Sequence, residues 1–158
     1  MKIKIKKAGR KDKYDILTLI DELAKYELLP PPDDKAKKRL IRNAFGKKPA
    51  FKVLLAKIKD EAIGYAFYFY TYSSFLAKKT LYLEDIFISE KHRKLGAGKL
   101  LMDELIKTAK KNKCGRMEWC VLTWNKTAIN FYEKVGANRL DWYFYRITHD
   151  NFQKYIEN

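Results

Sequence analysis

Residues 93–99, Arg-Lys-Leu-Gly-Ala-Gly-Lys, have the composition and spacing of a phosphate-binding turn. An apolar run with the pattern of a strand, residues 81–88, precedes them, and a run with the pattern of a helix follows. Glycines in such a turn let several backbone N–H groups point outward, and the positive end of the helix dipole lies behind them. The sequence therefore predicts a site for a phosphate or pyrophosphate at this turn.

The spacing of the glycines excludes two well-known phosphate loops. A dinucleotide-binding turn has the pattern G-x-G-x-x-G, and no third glycine follows Gly96 and Gly98 at the required distance. A P-loop needs a glycine where Arg93 stands and a serine or threonine where Leu100 stands. The pattern that remains is Arg-x-x-Gly-x-Gly.

A second segment, residues 125–136, predicts a helix with a defined start and end. Asn125 suits the N-cap, and Gly136 suits the position just after the last turn. Apolar residues recur between them at helical spacing, namely Ala128, Phe131, Tyr132 and Val135. In this order along the chain, the two segments resemble the acyl-CoA pyrophosphate loop and the N-x-x-A-x-x-F-Y-x-x-x-G segment of the GNAT superfamily of N-acetyltransferases.

Further segments narrow this resemblance to the spermidine/spermine (diamine) acetyltransferases and their thialysine-acetylating relatives. They are residues 23–27, 44–46, 69–72, 81–85 and 124–125. The resemblance extends from about residue 2 to about residue 147. It implies an acetyl-CoA-dependent N-acetyltransferase that acts on a primary amine of a small molecule (a polyamine, a diamine or a lysine-like compound) by direct transfer in a ternary complex. It also implies a homodimer, with residues 142–145 at the interface.

The resemblance also assigns roles to individual residues. Tyr132 is expected to act as the general acid that protonates the leaving thiolate, and Glu84 as the carboxylate that takes the proton of the amine. Substrate contacts are expected from Tyr26, Glu27 and Glu84. Contacts with acetyl-CoA are expected from the backbone at Ile86, Phe87 and Ile88, from the loop residues Arg93, Lys94, Leu95, Gly96, Ala97, Gly98 and Lys99, and from Asn125, Ala128 and Tyr132.

The chemistry of acetyl transfer explains why a carboxylate is needed. An alkyl amine has a pKa of about 10.4, so roughly one molecule in a thousand is neutral at pH 7. Glu84 and Asp85 interrupt an otherwise apolar strand, which calls for a reason. Alternation places their side chains on opposite faces unless a bulge re-aims them. We therefore expect Glu84 to face the amine and Asp85 to bind backbone or another charge within the fold.

One stretch departs from the polyamine-acetylating pattern. These enzymes usually have Asp-Pro-Trp where Ser73, Ser74 and Phe75 stand in this chain. A carboxylate and an indole are therefore missing from the expected substrate side. The departure leaves the acyl donor unchanged and leaves the identity of the amine open.

Composition bounds the remaining possibilities. The chain has 158 residues and a net charge of +15, which fits the anionic CoA but also allows a basic nucleic-acid-binding module on the same fold. Acetylation of protein lysines or N-termini is the alternative within the enzyme class. Two cysteines and two histidines argue against a disulfide framework and a histidine-based metal site. With neither a signal-peptide core nor a membrane-length apolar run, a cytoplasmic protein is expected.

The pattern of the elements predicts how these residues are positioned. Strands are expected at residues 3–5, 52–59, 62–72, 81–88, 117–122 and 142–148, and helices at 12–28, 33–45, from 96, from 125 and over 149–157. This order predicts a single α/β domain over residues 1–158. The resemblance makes it a GNAT-type α/β sandwich, with a mixed, partly splayed central sheet flanked by helices.

Overall fold

A computed structural model describes residues 2–156 of the chain, and Met1, Glu157 and Asn158 lie outside the described residues. The chain divides into two units, Met1–Cys120 and Val121–Asn158. The single domain expected over residues 1–158 stays a prediction. None of the helices among residues 2–156 is long and apolar enough to cross a membrane.

The first unit contains one sheet, whose strands are β1 (Ile3–Lys7), β2 (Lys52–Ile58), β3 (Glu61–Ser73), β4 (Lys78–Ile88) and β5 (Arg116–Glu118). They lie in the order of the chain. Neighbours are antiparallel except for β4 and β5, which are parallel. The sheet is therefore mixed, as predicted, because a helix rather than a hairpin joins its last two strands.

Three helices belong to the first unit: α1 (Lys13–Tyr26), α2 (Asp34–Phe45) and α3 (Ala97–Lys111). α1 buries Ile16 and Leu19 in a core cluster with Val53, Leu55, Tyr65 and Phe87 of the sheet. α3 packs against the strands as well, and Thr108 on this helix bonds the hydroxyl of Tyr68. Tyr65 and Tyr68 are an odd number of positions apart on β3, which places α1 and α3 against opposite faces. The predicted sandwich of a sheet flanked by helices is confirmed.

The last strand is shorter than its apolar pattern suggested. We expected a strand over residues 117–122, but β5 pairs with β4 only from Thr80 opposite Arg116 to Tyr82 opposite Glu118. β4 continues to Ile88 and keeps its pairing with β3 as far as Gly64. The edge of β4 from Leu83 onward therefore has no β5 partner among the described residues, which agrees with the predicted splay.

The second unit contains α4 (Lys126–Lys134) and α5 (Phe152–Ile156), with a turn of 3-10 helix at His149–Asn151 before α5. The strand predicted over residues 142–148 is wrong, because this stretch has no regular secondary structure. Its aromatic side chains are mostly exposed, from 69% at Phe144 to 87% at Tyr143 and Tyr145. Apolar residues with high strand propensity form a strand only where a partner edge is present, and none pairs with this stretch among residues 2–156.

Candidate active site

The glycine turn forms the N-terminus of α3 as predicted. Gly96 is the N-cap and has a φ of 86°, and Lys94 has a φ of 65°, so the turn uses two left-handed residues in close succession. The first helical bond runs from Leu100 N to Gly96 O at 3.1 Å. The N–H groups of Ala97, Gly98 and Lys99 therefore have no acceptor within the helix. Such a group of donors at the positive end of a helix suits a phosphate.

Two side chains of this turn have partners within the protein. Lys99 Nζ lies 2.7 Å from Asp103 Oδ2, one helical turn further on. Arg93 Nε donates to Ile88 O at 3.3 Å, and its guanidinium lies 4.3 Å from the centre of the Tyr26 ring. Arg93 thus joins the turn to the end of β4 and to the end of α1. Arg93, which is predicted to contact CoA, therefore lies next to Tyr26, which is predicted to contact the substrate.

A cleft of about 570 Å³ opens beside Arg93. Tyr26 and Phe87 form its apolar part, with ring centres 6.4 Å apart. Charged and polar side chains complete the lining, namely Glu22, Lys25, Ser89, Glu90, Lys91 and Arg93. The cleft has both an apolar floor and charged walls, as a site for an amphipathic ligand requires.

The end of β4 supplies backbone groups to this region. Ile86 is paired with Ala66 of β3, Phe87 with Tyr65 and Ile88 with Gly64. Only one edge of a strand faces each neighbour, so half of the N–H and C=O groups in this stretch point away from β3. They form the unpaired edge where the resemblance places the pantetheine arm.

A bulge in β4 places the two acidic residues. Phe67 of β3 is opposite Asp85, and the next residue, Tyr68, is opposite Leu83, so Glu84 has no partner in the register. Asp85 lies on the face of Tyr65, whereas Leu83 lies on the opposite face with Tyr68. The simple alternation expected for Glu84 and Asp85 is therefore interrupted. Glu84 is exposed and Asp85 is partly buried.

Asp85 lies in a negatively charged environment. Tyr65 donates its hydroxyl to Asp85 Oδ2 at 3.2 Å. Burial, then the charge of Glu84 and a smaller effect of Glu27, raise the pKa of Asp85 to about 6, against the lowering effect of the Tyr65 hydrogen bond. Burial also raises the pKa of Glu27, which caps the C-terminus of α1. We expected Asp85 to bind backbone or another charge, but its partner is a neutral hydroxyl.

The remaining predicted residues lie on α4 in the second unit. The side chain of Asn125 accepts a hydrogen bond from Ala128 N at 3.1 Å, which confirms the predicted N-cap. Gly136 has a φ of 86°, the left-handed geometry expected after the last turn. Tyr132 is partly buried and lies beside Phe131, with ring centres 5.5 Å apart.

The sequence did not indicate the contact that Tyr65 makes with Asp85. Its position on β3 has the pattern of an apolar core residue, and its ring does pack in the core cluster. Its hydroxyl finds Asp85 across the strand pairing, 20 residues further along the chain. No local pattern could indicate that contact. Among the described residues, no group of three or more histidine, cysteine or acidic side chains is arranged to hold a metal ion.

Comparison with known proteins tests the family resemblance. Residues 16–137 match the acetyltransferase (GNAT) family. The chain is 31% identical to thialysine N-epsilon-acetyltransferase of Mus musculus over 145 residues, covering 87% of this chain and 85% of the relative. It is 45% identical to L-ornithine N5-acetyltransferase of Arabidopsis thaliana over 104 residues, but this spans 65% of the chain and only 46% of that relative.

Two further comparisons extend this result. The chain is 32% identical to spermidine/spermine N(1)-acetyltransferase-like protein 1 of Homo sapiens over 157 residues, covering 92% of this chain and 22% of that relative. An integron cassette protein from the mobile metagenome of V. cholerae has the same fold, with a TM-score of 0.82, 26% identity and coverage of 100% of this chain and 99% of the other. The chain belongs to the acetyltransferase (GNAT) family, as the glycine turn and the Asn125 segment predicted.

Proposed function

We propose that the protein is an acetyl-CoA-dependent N-acetyltransferase that acetylates a primary amine of a small molecule. The arrangement around β4 carries this proposal. The free N–H groups at the start of α3 follow the end of this strand, its edge is unpaired from Leu83 onward, and Glu84 and Asp85 lie at its bulge. β4 and the start of α3 thus offer an anion site and a backbone edge for the CoA thioester, and carboxylates for the amine.

We assign the phosphate groups of CoA to the start of α3. The pyrophosphate would accept hydrogen bonds from Ala97, Gly98 and Lys99, and the net charge of +15 would favour the anionic cofactor. Asn125 and Ala128 shape the N-terminus of α4, where the family resemblance predicts a further contact with CoA.

We assign the amine to the carboxylates of β4 and α1. Glu84 is exposed and accepts the proton of the ammonium group, directly or through water. Glu27 and Tyr26 complete the substrate side. Tyr132 donates its phenolic proton to the leaving thiolate. Two relatives are named as acetyltransferases of ornithine and thialysine, and a third as a spermidine/spermine acetyltransferase-like protein, so an amine with a second charged group is the favoured class.

A matched pair of loop variants tests the cofactor site. Gly98→Asp places a carboxylate among the free N–H groups and should strongly weaken CoA binding in a calorimetric titration. Lys107→Gln lowers the net charge by the same one unit on an exposed part of α3, and it should bind CoA as the wild type does. Equal affinity of both folded variants for CoA would contradict the proposed function.

A second pair tests the amine site. Acetyl-CoA consumption is measured with ornithine, thialysine, spermidine and a basic protein as acceptors. Glu84→Gln should raise KM for the best small amine and lower kcat, with CoA affinity unchanged, because it removes both charge and basicity while keeping the shape. Asp60→Asn, in the exposed turn before β3, is the control.

Tyr132→Phe should lower kcat about 100-fold or more with little effect on acetyl-CoA binding.

We also propose a homodimer in which residues 142–145 contribute to the interface. The exposure of these aromatic side chains supports the proposal, since a run of large apolar groups on a surface usually marks an interaction site. Light scattering at micromolar concentration measures the mass, and a value near 18.7 kDa would show a monomer. The predicted cytoplasmic location likewise stays a prediction.

A further inference from the structure

The Tyr65 hydroxyl is a polar group inside an apolar cluster. The side chain of Tyr65 has no exposed surface, and its ring packs with Ile16, Leu19 and Phe87. A phenylalanine would fill this part of the core equally well. What the hydroxyl adds is a hydrogen bond, which it donates to Asp85 Oδ2 at 3.2 Å. A buried hydroxyl without a partner would be destabilising, so this bond fixes both groups.

Asp85 has an unusual set of neighbours for a carboxylate in a basic protein. The chain has 34 lysines and arginines, yet none forms an ion pair with Asp85 among residues 2–156. Arg93, a predicted cation of the site, is held over the rings of Tyr26 and Phe87 instead. Among the described residues, Asp85 Oδ1 is not a buried atom that lacks a hydrogen-bond partner.

We propose that Tyr65 is a positioning residue for amine acetylation: it fixes Asp85 beside Glu84, so that Asp85 serves as a second proton acceptor for the substrate amine. This inference rests on the proposed function. It differs from the family-based assignment, in which Glu84 alone takes the proton. Tyr65 acts through Asp85 and does not itself touch the amine.

The proton balance of the reaction shows how two carboxylates could both take part. An ammonium group, R–NH3⁺, loses two protons on its way to the amide R–NH–CO–CH3. The nitrogen forms a bond to the acyl carbon, the carbon–sulfur bond breaks, and the leaving thiolate takes up one proton to become the thiol. The other proton goes to solvent. Each carboxylate holds one proton at a time, so Glu84 and Asp85 together can take both protons from the nitrogen and pass them on.

Charged and titratable groups face Asp85 from three elements. Glu84 neighbours it on β4, Tyr65 on β3, and Glu27 at the end of α1. Burial, then the Asp85 charge, raises the pKa of Tyr65 well above its usual value, so Tyr65 stays a donor throughout the working range. The hydroxyl favours the ionised carboxylate, whereas the two glutamates favour the protonated one. Removing the hydroxyl must therefore raise the pKa of Asp85 above its value of about 6.

Tyr65→Phe tests the proposal through the pH dependence of kcat/KM. The amine is whichever of ornithine, thialysine and spermidine the wild type acetylates fastest. The acidic limb should move to higher pH by roughly one to two units, the size expected for losing a hydrogen bond to a carboxylate. At pH 7 kcat/KM should fall about twofold for a shift of one unit and about tenfold for a shift of two, and at pH 9 it should approach the wild-type value. An equal loss at every pH would show a structural effect and overturn the proposal.

Tyr68→Phe is the matched control. Tyr68 is also a buried tyrosine of β3, but its hydroxyl bonds Thr108 of α3 on the opposite face of the sheet. Its removal should leave the pH profile where it is. In an Asp85→Asn background, Tyr65→Phe should cause no further fall in kcat/KM, because the group that it positions is already neutral.

A carboxyl ¹³C NMR titration makes the test independent of activity. The Asp85 signal, assigned by its loss in Asp85→Asn, should titrate at higher pH in Tyr65→Phe than in the wild type and in Tyr68→Phe. An unshifted titration in a protein that acetylates amines would overturn this inference and leave the proposed function standing. A wild type that acetylates none of the amines would overturn the proposed function, and the catalytic part of this inference with it.

Discussion

Two aspartates at opposite ends of the first unit have opposite surroundings. Asp12 precedes α1 and is only 4% exposed, and it accepts hydrogen bonds from Lys6 Nζ at 2.8 Å, Gly9 N at 2.9 Å and Lys57 Nζ at 3.1 Å. Asp85 is partly buried at the bulge of β4, where one neutral hydroxyl is its donor and two glutamates are nearby. The neighbours of the first carboxylate stabilise its anion, and the neighbours of the second destabilise its anion.

The pKa values of these two aspartates move in opposite directions. Burial alone would raise the pKa of Asp12, but hydrogen bonds from Lys6, the Gly9 backbone and Lys57 outweigh it and hold the pKa well below its usual range. Burial and the charge of Glu84 raise the pKa of Asp85 to about 6. A carboxyl group that must bind and release protons near neutral pH needs the second environment. A carboxyl group that joins strands to a helix needs the first.

The two shifts have opposite effects on stability as pH changes. Asp12 stabilises the fold above its unfolded pKa of about 3.8, and this contribution is lost as pH falls below that value. Asp85 contributes stability below about 3.8, and its contribution is lost as pH rises through about 6. At neutral pH the first group therefore stabilises the protein, and the second destabilises it.

The largest effect on stability is expected from Asp12→Ala. It leaves Lys57, whose side chain is 13% exposed, with Asp15 as its one remaining ion-pair partner among the described residues, and it removes the acceptor for Gly9 N. The free energy of unfolding at pH 7 should fall on the order of 3 kcal/mol, as for other buried pairs that lose one member. Urea denaturation measures this change. A loss under 1 kcal/mol would mean that Asp12 and its partners contribute no more to stability than an exposed ion pair does.

Asp12→Asn separates the charge from the hydrogen bonds. The amide oxygen can still accept from Gly9 N, so this variant should lose less stability than Asp12→Ala at pH 7. The difference between wild type and Asp12→Asn should shrink as pH falls below about 3.8, because the wild-type carboxyl then becomes protonated as well. A difference that stays constant with pH would show that packing, and not charge, is responsible.

A gain in stability is expected from Asp85→Asn. The amide keeps an acceptor for the Tyr65 hydroxyl and removes a carboxylate that is partly buried beside Glu84. At pH 8 the free energy of unfolding should rise by about 1–2 kcal/mol, and the gain should vanish below about pH 3.8, where the carboxyl is protonated in both the folded and the unfolded chain. Thermal unfolding at several pH values measures the gain. A variant that is less stable than the wild type at pH 8 would contradict the assigned environment of Asp85.

Several local features of the chain could be predicted from the sequence. Asn125 caps its helix through its side-chain oxygen, and Gly136 adopts left-handed backbone geometry after the last turn, as the patterns indicated. These features depend on a few neighbouring residues, so a short segment specifies them. The anion site proposed at residues 93–99 depends on the same local geometry, namely the left-handed Lys94 and Gly96 before α3.

Contacts between distant segments could not be predicted in this way. Lys57 reaches Asp12 from 45 residues away, and Tyr65 reaches Asp85 from 20 residues away, both through strand pairing. The bulge that leaves Glu84 without a partner is a property of the register between β3 and β4, which a single strand pattern does not contain. For the same reason, the aromatic stretch at residues 142–148 was predicted as a strand although no partner edge pairs with it among the described residues.

The smallest effect is expected from Asp15→Asn. Asp15 Oδ2 lies 2.7 Å from Lys57 Nζ, closer than Asp12, but the side chain of Asp15 is 38% exposed. Water replaces much of what an exposed carboxylate contributes, so the loss in the free energy of unfolding should be roughly 0.5 kcal/mol. It should shrink further in high salt, which screens exposed pairs more than buried ones. Urea denaturation of Asp15→Asn and Asp12→Asn side by side, at low and high salt, measures both effects. If both variants lost the same free energy of unfolding, the ion pair with Lys57 would matter more than the burial of the carboxylate. The difference between Asp12 and Asp85 would then come from their partners and not from their burial.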